Sequence, residues 1–418
     1  MINIPASFKN DHEDYITVPV LKEFVKTHNV KTNVSEKREN LFDKIIEFGN
    51  ESEEKGELVL DWIDYVVQEG IKDIQLHYAP LPDNMSMLAK DNGKLLNHIS
   101  AYVDKSVSRH LCQNVYGEHF VLIDAKTEKS RAGEKIVFIF CKSLYVHDPK
   151  KNITKKIDYP VIAEYYKKGE WLLVKAKPKS NLYIYENKEF NLEKAQLTTT
   201  EKETKKIVDM VKKILSVQEV NGRGVEYDLK NRIFQLLDKY TNTPEEIKGV
   251  MENADSSVLE ISKKISDLCF VEGKCGIPEN MKKDIDDDIR NILEKYLSIN
   301  WKDKDVFVKD RDAYPVKLSA TDEEESKVEQ TAAALEPLQT KALFFDNKKM
   351  LYKNKSCDGI VFRWRRINPI NGQKLMFPVK MSANGRGICT FKFTEYTVKE
   401  DIENVIFSII ETGENTES

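Results

Sequence analysis

The chain has 418 residues, is 40% hydrophobic and 32% charged, and carries a formal net charge of −4. That length allows two to four domains with cores of their own, and intermixed charge of both signs excludes long disorder. No apolar run reaches membrane-spanning length, the first fifteen residues lack a signal-peptide core, and the six scattered cysteines form no CxxC pair, so a cytoplasmic protein with reduced thiols is expected. Abundant Lys, Asn and Ile suggest an AT-rich genome of bacterial or phage type.

Residues 16–80 read as short helices. Leu21, Phe24 and Val25 fall at helical spacing; Ser35 is placed to cap a second helix with Leu41, Ile45 and Phe48 on one face; Leu60, Ile63 and Val67 line a third that stops at Gly70. "KLLNHISAYVDKSVSRHL" continues as helix, and then the period changes. "HFVLIDAK", "KIVFIFCKSLYVHD", "PVIAEYY" and "EWLLVKAKP" are β-rich runs separated by turn residues, which predicts an antiparallel sheet. Helical period returns over 198–300. Its helix starts are a threonine run, Thr243 before Pro244, and the acidic first turn of "DIDDDIRNILEKYL".

"SATDEEESKVEQTAAALEPLQ" reads as linker or exposed helix, and 342–410 as a β region closed by "KEDIENVIFSII". The fold class expected is α+β and multidomain. The expected parts are an N-terminal helical domain (1–84), an α+β domain with a basic antiparallel sheet (85–195), a helical domain (196–318), the linker (319–341) and a basic β-rich domain (342–418).

Charge is distributed unevenly along this layout. In "IVFRWRRI", alternation puts Ile360, Phe362 and Trp364 on one face, Arg363 and Arg365 on the other. "KLMFPVKM" opposes Leu375, Phe377 and Val379 to Lys374 and Lys380, and "ICTFKF" turns Phe391 and Phe393 inward. From Lys353 to Lys392 the only acid is Asp358. The central strands add Lys150, Lys151, Lys155 and Lys156, and "KAKPKS" adds Lys175, Lys177 and Lys179. Uncompensated cations on β-rich surfaces suit a polyanion, since phosphate neutralisation supplies most non-specific nucleic-acid affinity.

"VPVLKEFVKTHNVKTNVSEKRENLFDKIIEF" resembles a SAP-type helix–extended–helix module, with Lys37 and Arg38 preceding Leu41 and without the family's usual linker glycine. The resemblance implies that Lys37 and Arg38, at the start of the second helix, touch duplex DNA. The wider layout, a helical hairpin followed by a helix and a basic sheet carrying "WLLVKAKPKSNLYIY", resembles the centromere protein N family. That likeness implies DNA binding without catalysis.

One stretch suggests chemistry. Asp124-Ala125-Lys126 after an apolar run has the D-x-K form of a restriction-type nuclease core, where a carboxylate holds Mg²⁺ and lysine positions water. Its partner acid would have to be Asp104 or Glu118, neither well placed. His110, Cys112 and His119 cluster without a fourth ligand at zinc spacing, and "CFVEGKC" offers Cys269 and Cys275 without a second pair. P-loop, Gly-x-Ser-x-Gly and HExxH motifs are absent. The reading is a nucleic-acid-binding protein, duplex DNA first, with no cofactor and no membrane. Mg²⁺ enters only under the nuclease alternative, and a protein partner only on the acidic helical segment.

Overall fold

The computed structural model describes residues 2, 4–9, 15–32, 36–185, 190–269, 279–321, 327–332, 335–369 and 373–412. The chain begins with α1 (Ala6–Lys9), α2 (Val18–Thr27), α3 (Arg38–Gly49), α4 (Glu53–Val66), β1 (Lys72–Tyr78), α5 (Asp83–Ala89) and α6 (Asn92–Ser100). Then come β2 (Val121–Ser130), β3 (Gly133–Asp148), β4 (Ile153–Tyr166), β5 (Trp171–Ala176), β6 (Leu182–Ile184), β7 (Gln196–Thr198), α7 (Thr200–Ile214) and α8 (Gly222–Tyr240). The remainder is α9 (Glu245–Asn253), α10 (Asp255–Asp267), α11 (Glu279–Asn300), β8 (Ala313–Thr321), β9 (Lys327–Thr331), α12 (Ala342–Asn354), β10 (Gly359–Arg365), β11 (Met376–Asn384), β12 (Ile388–Phe393) and α13 (Lys399–Thr412). The fold is α+β, and among the described residues no helix is long and apolar enough to cross a membrane.

Contacts divide the chain into two units: residues 1–226, 366–375 and 384–418 form unit 1, and residues 227–365 and 376–383 form unit 2. The helices of 1–84 and the strands of 85–195 therefore share one unit, and 342–418 is divided between both. In unit 1 the strands run in the order β7-β6-β3-β4-β5-β1-β12, with β2 also on β3, all antiparallel. Side chains alternate, so each strand feeds two cores. Ile136, Phe138 and Phe140 of β3 join Tyr159 and Val161 of β4 under α5, α6 and α7. Val137 and Ile139 face the other way, against Phe8, Ile45, Val59 and Ile63 of α1, α3 and α4. In unit 2 the order is β11-β10-β8-β9, and Tyr240 of α8 covers one face by edge contacts with Phe362 and Trp364 at 5.6 and 5.5 Å.

Some elements differ from their sequence reading. β1 lay inside the stretch read as helical, although Ile74 and Leu76 alternate with Asp73, Gln75 and His77; a lysine, Lys72, occupies an inward slot and masks the period. The linker or exposed helix is instead largely β8 and β9 (322–326 lie outside the described residues), and the supposed β region opens with α12. The helix expected through Leu111 stops at Ser100. Ser35 lies outside the described residues, and α3 starts later with Lys37 at its N-cap. Pro244, not Thr243, is the N-cap of α9, because the Thr243 hydroxyl donates to Glu294 at 2.7 Å. The helix expected to stop at Gly70 ends earlier, at Val66 with Val67 as its C-cap; Gly70 lies in the following turn, where its φ of 95° is open to glycine and its N–H donates to the Thr397 carbonyl at 2.8 Å.

A charged layer lies between the unit 1 sheet and α13. Lys135 of β3 bridges Glu164 of β4 at 3.1 Å and Glu403 of α13 at 2.6 Å. Glu164 also takes Lys175 of β5 and accepts from Tyr166 at 2.6 Å, and Lys399 of α13 reaches Glu128 of β2 at 2.7 Å. Lys135 and Glu164 are fully buried. Burial alone would push the Glu164 carboxyl up; the Lys175 and Lys135 ammonium groups outweigh it and hold the carboxyl well below the usual range.

Removing one member of such a layer strands the others in a dry interior. Glu164→Gln should therefore cost about 3–5 kcal/mol at neutral pH, read from urea unfolding. Because the folded carboxyl is depressed, its contribution is complete above the ordinary carboxylate range and fades as the pH falls through it. The gap between wild type and variant should narrow on acidification; a gap constant with pH would refute the pairing.

Candidate nucleic-acid interface

β3 and β4 pair from Lys135↔Tyr166 to Asp148↔Ile153, whereas β5 covers only Val161–Tyr166 of β4. The far end of the hairpin therefore runs on beyond β5. Its turn is closed locally: Asp148 Oδ1 accepts from the N–H groups of Lys150 and Lys151 at 2.9 and 3.3 Å, and Asn152 takes a positive φ of 51°. Lys150, Lys151 and Lys156 are exposed, with Lys155 half-buried. None of the four forms an ion pair among the described residues.

An aromatic group supports the hairpin end. The register sets Tyr145 opposite both Lys156 and Tyr183. Phe190 packs among Tyr145, Tyr183 and Tyr185 with ring centroids 4.7, 6.1 and 5.4 Å away. These four rings are half-buried, so the cations stand beside partly open aromatic surface. The sequence alone does not single out this group, because the β3–β6 pairing that gathers it joins residues distant in the chain. Trp171, by contrast, is buried.

The remaining expected contacts scatter. Lys37 is exposed at the head of α3, but Arg38 is buried: its guanidinium donates to the carbonyls of Lys9 at 2.9 Å and Phe8 at 3.4 Å and stacks on Phe42. Arg38 thus holds the end of α1 rather than facing solvent. Lys175 is buried against Glu164, and Lys177 is buried with its ammonium over the Tyr15 ring, so neither is a surface cation. The Lys179 side chain is half-buried, its backbone N–H donating to Thr200.

Lys374, in unit 1, is exposed. In unit 2, Lys380 and Lys317 are exposed and flank Val361 across β11, β10 and β8, one pair away from half-buried Arg363 and Tyr314. Arg365 is engaged, donating to the carbonyls of Arg311 and Val308 at 3.3 and 3.4 Å. The five aromatic residues of the expected inner face, Phe362, Trp364, Phe377, Phe391 and Phe393, are all buried, the last two in unit 1.

The D-x-K stretch lies on β2. A bulge between Leu122 and Asp124 turns Asp124 and Lys126 to the face of Ile139 and Val137, the side of the N-terminal helices. Lys126 pairs with Glu128 at 3.3 Å. Asp104 is exposed and accepts from Ser106, and Glu118 is half-buried.

Among the described residues, Asp61, Asp64 and His110 are the group of three that could hold a metal, and it does not include Asp124. Two of its members, Asp64 and His110, are already engaged, while Asp61 is exposed. His110 Nδ1 lies 2.8 Å from Asp64 Oδ2, its Nε2 lies 3.1 Å from Glu57, and Asp64 Oδ1 accepts from Leu111 N–H at 3.1 Å. This arrangement ties the loop around His110 to α4. His119 is exposed apart from the group, Cys112 is a buried thiol, and Cys275 lies outside the described residues.

On the helical segment of unit 2, the acids are partly spent on α12, as Lys349–Asp288 at 2.9 Å and Lys348–Glu294 at 2.5 Å. α10 differs: Ile261, Ile265 and, just past its end, Leu268 follow at i, i+4 and i+7 and are 47%, 37% and 54% exposed. No protein-family model matches the chain, and no curated protein matches it.

The hydrogen bond to Asp64 raises the pKa of His110. A raised folded pKa means stability that is complete below the ordinary histidine value of about 6.5 and lost as pH climbs through the folded value. Thermal melts of wild type should fall over that window, while His110→Gln should start lower and stay flat. Parallel curves would exclude the staple.

Proposed function

We propose that the protein binds nucleic acid through backbone charge, with the β3–β4 hairpin as its main contact. The observation that carries this reading is the set Lys150, Lys151, Lys155 and Lys156, without ion pairs among the described residues and set at the hairpin end beside half-buried tyrosines; among those residues only Lys156 reaches a protein acceptor, the Tyr116 carbonyl at 3.4 Å. Lysines without carboxylate partners can displace counterions from phosphates, and adjacent rings add sequence-tolerant stacking. Lys37 in unit 1, and Lys317 and Lys380 in unit 2, are further exposed cations, each taken with its own unit.

Anisotropy titrations with duplex DNA, single-stranded DNA and RNA across a salt series test the proposal. Affinity should fall linearly on logarithmic axes, and replacing the four hairpin lysines by glutamate should flatten the duplex slope by up to about 3.6, at about 0.9 per phosphate contact. Unchanged affinity and slope in that variant would reject the hairpin as the contact. Lys317→Glu with Lys380→Glu measures the unit 2 contribution separately.

A second reading, protein docking on unit 2, is favoured by the apolar α10 stripe rather than by acidic charge. If a second copy covers that stripe, sedimentation velocity should show concentration-dependent association in wild type and a monomer in Ile261→Asp with Leu268→Asp. A monomer in both, across the range, would count against self-docking.

A further inference from the structure

Unit 1 carries a groove of about 640 Å³ between α2, α4, residues 368–369 and the start of α13, within the size range of small-molecule sites. Its wall is aromatic. Phe24 packs on Trp62 and His28 with centroids 4.5 and 4.4 Å apart, and Tyr65 stands alongside with its hydroxyl donating to Glu400 at 3.0 Å. Its charge is negative: Glu23, Glu69 and Glu400 line it against Lys26, three acids less one lysine, or −2.

Glu69 is more than nine-tenths buried, and its carboxylate is fixed by the Tyr396 hydroxyl at 2.8 Å and the Lys399 N–H at 3.1 Å. The groove thus joins one rigid buried carboxylate, two at its rim and several ring faces. One cation already uses this chemistry, because the Lys399 ammonium lies 5.3 Å from the centre of the Tyr65 ring.

We propose that this groove binds a small organic cation, an aliphatic ammonium compound whose charge meets Glu23, Glu69 and Glu400 while its methylenes lie on Trp62 and Tyr65, the rings left partly open where Phe24 is buried. Charge complementarity selects the cation. Cation–π attraction and apolar contact with the wall favour an alkylammonium over a hydrated metal ion. An anionic or neutral ligand of the same length would lose the carboxylate contacts and leave their field uncompensated. The site is separate from the basic hairpin and does not depend on nucleic-acid binding.

Calorimetry on the full chain with spermidine, alongside tryptophan fluorescence, tests the assignment. Saturable binding at one site is expected, with a fluorescence change that Trp62→Phe removes. Glu23→Gln with Glu400→Gln should weaken binding at least tenfold while leaving the thermal midpoint near wild type, since both glutamates are exposed. 1,8-Octanediol, the neutral probe, should not bind. Absence of saturable spermidine binding, equal affinity in the double variant, or magnesium competing as well as spermidine would overturn the proposal. A lysine-rich peptide binding more tightly than spermidine, with the same Trp62 dependence, would overturn the small-cation assignment.

Discussion

Unit 1 depends on a balance of three lysines and three glutamates held between its sheet and α13: Lys135, Lys175 and Lys399 against Glu128, Glu164 and Glu403. Desolvating a carboxylate or an ammonium costs several kcal/mol after relaxation, so the layer is tolerable only while each charge keeps an opposite neighbour. The pairing constrains geometry as well as energy. Glu164 sits between lysines on both flanking strands, and Lys399 and Glu403, one helical turn apart, fix how α13 lies on the sheet. Phe407, one further turn along, adds an edge contact with Tyr166 at 5.6 Å. A second buried pair, Lys142 with Glu203, joins the opposite face to α7, where Glu203 also accepts from Thr198 and takes Lys206. The sheet is thus tied by charge to helices on both sides.

This layer also explains where sequence reading succeeded and where it failed. Alternation placed Phe362, Trp364, Phe377, Phe391 and Phe393 inward correctly, because the outward slots between them are polar and the inward ones apolar. The same rule assigns Lys175 and Lys177 to the surface, and there it fails. A lysine in an inward slot is indistinguishable in one sequence from a lysine in an outward one until its carboxylate is known, and Glu164 lies on another strand. Lys72 masked β1 in the same way: its ammonium donates to the Val67 carbonyl at 2.7 Å, and burial with Lys175 and Lys177 nearby pushes its pKa well down. Arg38 followed the same logic on a helix. Its position suggested a phosphate contact, and its guanidinium instead satisfies carbonyls at the end of α1.

The candidate surfaces were legible in proportion to how local they are. The lysines of the β3–β4 turn occupy a few consecutive positions, so their clustering needed no knowledge of tertiary structure. The aromatic group behind them required the β3–β6 pairing, and the cation groove required α2, α4 and the start of α13 to converge. Neither arises from a spacing within one element. The helix boundaries behave alike: the caps at Thr199 and Ser52 are local and follow the rule, while Thr243 leaves its helix to a proline cap because Glu294 competes for its hydroxyl.

A net charge of −4 is therefore a poor guide to what this chain binds. Charges paired inside the sheet cancel in the sum and present no field to a ligand, and the sum does not show that two exposed surfaces of unit 1 differ in sign. The hairpin offers lysines whose ammonium groups form no ion pair among the described residues; the groove offers carboxylates with aromatic rings. Salt should act differently on the two. The proposed binding at the hairpin would rest on exposed cations, which ions screen within about 10 Å at 0.1 M, and would weaken steeply. In the groove, Glu69 is buried and the proposed methylene contacts with Trp62 and Tyr65 carry no charge, so part of the affinity there would survive high salt. Two sites of opposite sign on one unit can then be separated by ionic strength alone.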